Sequence, residues 1–108
     1  MQTHEIISIK ESELVSLIKT MDTEALEKHA RNIMKDMGST DYAGIMGKIM
    51  KTMKEGQNLN LSPFERVQNL LKDNLPNEAY MSDIYARLAT LVMIIISRKF
   101  NTLYEQKK

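Results

Sequence analysis

Leu88-Ala89-Thr90-Leu91-Val92-Met93-Ile94-Ile95-Ile96 is the one stretch of this chain that is apolar on every side. It is too short to cross a bilayer, which takes roughly 20 apolar residues. Arg87 bounds it on one side, and Arg98 and Lys99 on the other. A helix that is apolar all round, yet too short for a membrane, belongs inside protein. A buried strand is the alternative, because isoleucine and valine favour strands. Periodicity decides between them. Tyr80, Ile84, Leu88, Leu91 and Ile95, then Tyr104, follow a helical register over a length no ordinary strand reaches. No second strand-like run is present to pair with it. Pro76 precedes the segment, and Asn77 or Ser82 is placed to cap its start.

Working outward, the segments upstream alternate apolar and polar residues at helical spacing. Ser62-Pro63-Phe64-Glu65 is the clearest local signal: a cap, a proline at the first helical position, and a glutamate that completes a capping box. Phe64, Val67, Leu70, Leu71 and Leu75 continue that helix until Pro76 stops it. Before it, Gln57-Asn58-Leu59-Asn60-Leu61 reads as a polar loop with two leucine anchors, too short to separate domains. Tyr42, Ile45, Met46, Ile49, Met50 and Met53 form a dense stripe on a helix capped by Ser39, Thr40 or Asp41 and ended by Gly56. Leu26, Ala30, Ile33, Met34 and Met37 form another, opened by Asp22 or Thr23 and closed by Gly38 in a left-handed cap. Residues 3–10 fit two patterns. Ile7 and Ile9 alternate like a strand, whereas Ile6, Ile7, Leu14, Leu17, Ile18 and Met21 fit one long helix. An extended arm over residues 1–11 is preferred, with a helix from about Ser12, its cap, to Met21. Glu105 to Lys108 are expected to fray. The fold expected is all-α: a single domain over residues 1–108, a compact bundle of about five helices around a long, apolar, central C-terminal helix.

Composition narrows function. Fifteen basic and fourteen acidic residues leave a net charge of +1, so the chain as a whole has no strong general attraction to nucleic acid or acidic membrane. There is no cysteine, which excludes disulfides, thiolate catalysis and cysteine-based zinc sites. The N-terminus, Met1 to Glu5, lacks the basic and apolar regions of a signal peptide, and a cytoplasmic location is expected. His29 has no motif pairing it with a nucleophile, and a part-buried structural histidine is the plain expectation. Glu24, Glu27 and His29 lack the spacing of a helical metal pair. No phosphate loop and no nucleophile elbow occur. Neither an enzyme nor a cofactor is expected.

An interaction protein is expected instead: a small regulator, inhibitor or adaptor that grips a partner protein through an apolar, methionine-rich helical surface. Ala43, Gly44 and Gly47 make a strip of small residues beside the Tyr42 stripe, and two glycines in a soluble helix each cost about 1 kcal/mol relative to alanine. Such a strip permits close approach of another backbone, either within the domain or from a partner. The residues expected at the partner are Tyr42, Gly44, Ile45, Gly47 and Met50. A helix apolar on all faces needs neighbours on all faces, and short amphipathic helices fall short of that. Leu88, Leu91, Val92 and Ile95 are therefore expected to self-associate, giving a homodimer.

The alternative is a helical module that binds RNA or DNA through Lys48, Lys51 and Lys54, spaced three apart, aided by Arg98, Lys99, Lys107 and Lys108. Met46-Gly47-Lys48-Ile49-Met50-Lys51, then a glycine, then Val67-Gln68-Asn69-Leu70-Leu71-Lys72 resembles the helical tail domain of the tRNA-dependent amidotransferase B subunit and its relatives. The resemblance covers about a quarter of the chain and implies a part in holding tRNA. The Leu88 to Ile96 helix departs from that family's pattern.

Overall fold

Capping chemistry sets most of the element boundaries. The computed structural model describes residues 2–55, 62–76 and 82–106, with side chains as far as Lys99. Among these residues it contains six helices and no strand: α1 (Thr3–Ser8), α2 (Glu11–Lys19), α3 (Thr23–Asp36), α4 (Tyr42–Glu55), α5 (Pro63–Asn74) and α6 (Ser82–Gln106). Asp22 opens α3 by accepting the Ala25 N–H at 2.7 Å. Gly38, at φ +97°, closes it. The Gly38 N–H reaches the Lys35 carbonyl at 3.0 Å and the Ser39 N–H reaches Met34 at 2.9 Å, the paired bonds of a Schellman cap. Of the three candidates for the α4 cap, Asp41 takes the role, with its carboxylate on the Gly44 N–H at 3.2 Å. Ser62 accepts from the Glu65 N–H at 3.2 Å, with Pro63 in the first turn of α5.

The N-terminus departs from expectation. No extended arm covers residues 3–8; they form α1, and the helix count rises to six. A lone strand without a partner edge leaves its backbone polar groups unpaired, whereas a helix pairs its own. The alternation around Ile9 marks only the junction, where Ile9 and Lys10 are extended. Lys10, not Ser12, precedes the first turn of α2, and Ser12 lies inside the helix. Glu105 and Gln106 continue α6, while Lys107 and Lys108 lie outside the described residues. So do the loop 57–61, Gly56 and Asn77, each given a role from the sequence.

α6 has 25 residues and is therefore about 37 Å long, close to the 40 Å long axis of the molecule. It packs against α1, α2, α3 and α5, while α4 lies on α3 and α5. Leu88, Ala89, Leu91, Val92 and Ile95 are completely buried within the single chain. Ile6 of α1 is buried as completely, and α1 also packs on α6. The short N-terminal helix thus supplies cover beyond that of the amphipathic helices read from the sequence. Burying one such side chain contributes about 1.5–3 kcal/mol.

Two arginines tie the N-terminal helices to α6. Arg87 donates to the Ile9 carbonyl at 2.7 Å, at the α1–α2 junction. Arg98 donates to the Met21 carbonyl at 2.7 Å and the Lys19 carbonyl at 3.3 Å, at the α2–α3 junction. Eleven residues separate them, close to three helical turns, so both point from nearly the same side of α6. Arg98 also brings positive charge to the C-terminus of α2, where the helix dipole favours it.

Candidate interaction surfaces

Burial divides the residues that sequence reasoning selected. Tyr42 and Ile45, expected at a partner, face the core instead. Met50 is partly buried against the same core. Gly47 is exposed, and a Cβ built on it meets nothing within 4 Å, so no helix crosses there. Gly44 is part-exposed; a Cβ there would collide with the Asp41 carboxylate that caps the helix. The two glycines therefore do different things, and the strip is surface rather than a crossing point. Leu88, Leu91, Val92 and Ile95, expected at a self-contact, are closed off by the chain's own helices. Lys48, Lys51 and Lys54 are exposed, with Lys48 Nζ donating to Asn74 Oδ1 at 3.0 Å. Arg98 and Lys99, grouped with them from the sequence, face inward partners: Arg98 holds carbonyls, and Lys99 Nζ lies 3.4 Å from Glu27.

The open face of α6 lies elsewhere on the helix. Ala86, Thr90, Met93 and Ser97, spaced four, three and four, are partly or fully exposed. This spacing keeps them on one side of the helix. Two hollows of about 200 Å3 each open along it. One lies against α2 and α5 and is lined by Leu14, Val15, Phe64, Ala86, Arg87 and Thr90, with Glu11 at its edge. Val15 is 40% exposed, the one large apolar side chain in the exposed class among the described residues. The other lies between α4, α5 and α6 and is lined by Met53, Val67, Met93, Ile96 and Ser97. Val67 and Ile96 are buried, whereas Met53 and Met93 are only partly covered. Four of its five lining side chains are apolar and none is charged. Ligand pockets for metabolites run to roughly 300–1,000 Å3. A 200 Å3 hollow instead suits an inserted side chain, the geometry of an interface anchor.

Two part-buried polar clusters join neighbouring helices. Thr3 Oγ1 lies 2.9 Å from His29 Nδ1, and Asn32 Nδ2 donates to the same hydroxyl at 2.9 Å. Both contacts are satisfied when the Thr3 hydroxyl donates to Nδ1 and the ring proton sits on Nε2. His29 is 6% exposed. Burial first, then the positive N-terminus and Lys28, push its pKa below the ordinary value, so the neutral ring is favoured. This network fastens α1 to α3. In the second cluster, the Tyr42 hydroxyl donates to Glu27 Oε2 at 3.0 Å, and Arg31 stacks 4.7 Å from the centroid of the Tyr42 ring. Burial and the Glu27 carboxylate raise the phenol's pKa and keep it protonated. Among the described residues, no group of three His, Asp or Glu side chains is arranged to hold a metal ion, and no helix is long and apolar enough to cross a membrane.

Sequence reasoning missed the structural roles of Thr3, Arg87 and Arg98, and the hollow formed by Met53 and Met93. Arg87 and Arg98 did carry a signal. A guanidinium at the edge of an all-apolar helix needs acceptors, and backbone carbonyls at helix junctions are the commonest ones free. Comparison of the chain with models of protein families, with curated proteins and with solved structures finds no match.

Proposed function

We propose that the protein is a non-enzymatic interaction module, a small cytoplasmic regulator, inhibitor or adaptor, that binds an amphipathic helix of a partner protein over the open face of α6. One apolar side chain of the partner enters the hollow between Met53 and Met93. The helix lies along Ala86, Thr90 and Ser97, whose small side chains let it approach closely. Support comes from one observation above all: a hollow without charge, sized for a side chain, with two methionines at its lip. Methionine's unbranched, polarisable side chain adapts to the shape inserted beside it. Self-association through Leu88, Leu91, Val92 and Ile95 is not part of the proposal, because those residues are buried in the core.

The test is site-specific photo-cross-linking in the native host. A cross-linking residue at position 53 should capture one discrete protein, and Met93→Glu should abolish the adduct while leaving the circular dichroism spectrum unchanged. An equal adduct from position 28, on the exposed side of α3, or one that survives Met93→Glu, would sink the proposal. The nucleic-acid alternative has support only from exposed Lys48, Lys51 and Lys54. It requires binding that weakens with salt and that the triple alanine variant loses.

A further inference from the structure

The α3–α4 turn carries a feature unrelated to the apolar hollow. A cleft of about 300 Å3 lies between the end of α3 and the start of α4, lined by Arg31, Asn32, Lys35, Ser39, Thr40 and Tyr42, with Ala43 at its margin. We infer that this cleft is a binding site for a phosphate monoester, held by Arg31 and Lys35 on one wall and by the Ser39 and Thr40 hydroxyls on the other.

The inventory of donors supports this chemistry. Arg31 and Lys35 are one helical turn apart, which places them on the same side of α3. Stacking on the Tyr42 ring holds the Arg31 guanidinium in place and leaves its N–H edges available. Its nearest acidic neighbour, Glu27, is 3.7 Å away, too far for a good hydrogen bond. That carboxylate also faces Lys99 and accepts from Tyr42, so it only partly offsets the Arg31 charge. The Lys35 ammonium makes no ion pair or hydrogen bond among the described residues. The Ser39 oxygen accepts from the Asp41 N–H at 3.2 Å, which leaves its hydrogen free to donate. None of the lining residues is a carboxylate. Asp41 stands nearby, but its carboxylate is directed to the Gly44 N–H.

A planar fork, an ammonium and two hydroxyls, arranged on two walls, match a tetrahedral dianion better than a planar carboxylate. The volume exceeds that of the phosphate group and leaves room for the group that bears it. A free small phosphomonoester and a phosphorylated side chain present the same chemistry to this cleft.

Amide chemical shifts of the labelled full chain, followed at constant ionic strength, test the inference. The probes are inorganic phosphate, glycerol 3-phosphate and a phosphoserine tripeptide, with sodium chloride as control. Phosphate should move the Ser39, Thr40 and Ala43 amides saturably. Glycerol 3-phosphate or the tripeptide, whichever binds more tightly, identifies the source. Arg31→Gln and Lys35→Gln should each weaken the affinity about tenfold, and Arg31→Lys should recover part of the loss. Shifts that chloride reproduces, amides that do not respond, or affinities unchanged in both glutamine variants would overturn it. Both side chains are exposed, so spectra away from the cleft should be unaltered in the variants.

Discussion

The two faces of α6 differ in how far the chain covers them. The face with Leu88, Leu91, Val92 and Ile95 is closed over by α1, α2, α3 and α5, and nothing of it reaches solvent. The face with Ala86, Thr90, Met93 and Ser97 has hollows beside it and stays partly open. The residues that look most adhesive in the sequence are those the fold has already used. The residues left open to solvent are smaller, more polar and less conspicuous. Hydrophobicity along a chain locates the core better than it locates an interface, because interfaces are not markedly more apolar than other surface.

The difference between the faces can be broken from the closed side first. A double substitution, Leu91→Asp with Ile95→Asp, should abolish folding, since each places an unpaired charge in the core. Leu91→Ala alone should cost about 2–5 kcal/mol in urea unfolding. Next come the arginine ties. Arg98→Ala should destabilise by about 1.5–3 kcal/mol, and amide exchange should show the loss concentrated at the α2–α3 junction. A uniform loss of protection across the molecule would mean that Arg98 does not act as a local clamp.

Acid should loosen the same closed side. The folded pKa of His29 lies below its ordinary value of 6.5. Between those two values the unfolded chain binds more protons than the folded one. Its contribution to stability is therefore complete above about pH 6.5 and is lost progressively as pH falls toward the folded value. Urea midpoints across pH 7.5 to 5, roughly the range of histidine titration, should decline, and His29→Gln should flatten the decline. A slope identical in the variant would assign it to other groups.

The smallest effect belongs to the exposed side of the molecule. Gly47→Ala should stabilise the protein by about 1 kcal/mol, since the position is helical, open and free of neighbours. A loss of stability there would mean that Gly47 is packed against something.

Much of the fold was legible in the sequence. The all-α class followed from periodicity, and Asp22, Gly38 and Ser62-Pro63 marked boundaries the structure retains. These signals are local, and local chemistry acts on them directly. α1 was not legible, because six residues carry too little periodicity and Ile6 becomes a core residue only through α6. The division of α6 into closed and open faces was not legible either. A segment apolar all round has no pattern to say which side meets which helix; that depends on contacts nearly the whole chain apart, such as Arg87 with Ile9. Gly47 was equally silent, since a glycine in a helix reads the same whether it lies under a neighbour or in water.

The most direct measurement of the central claim, that one chain closes its own core and keeps its remaining face for a different protein, is the mass in solution. Light scattering on a size-exclusion column, repeated over a wide concentration range, should return the 12.5 kDa of a single chain throughout. A rise toward twice that mass with concentration would contradict the account, because a second copy would then occupy the face assigned to the partner or share the core of α6.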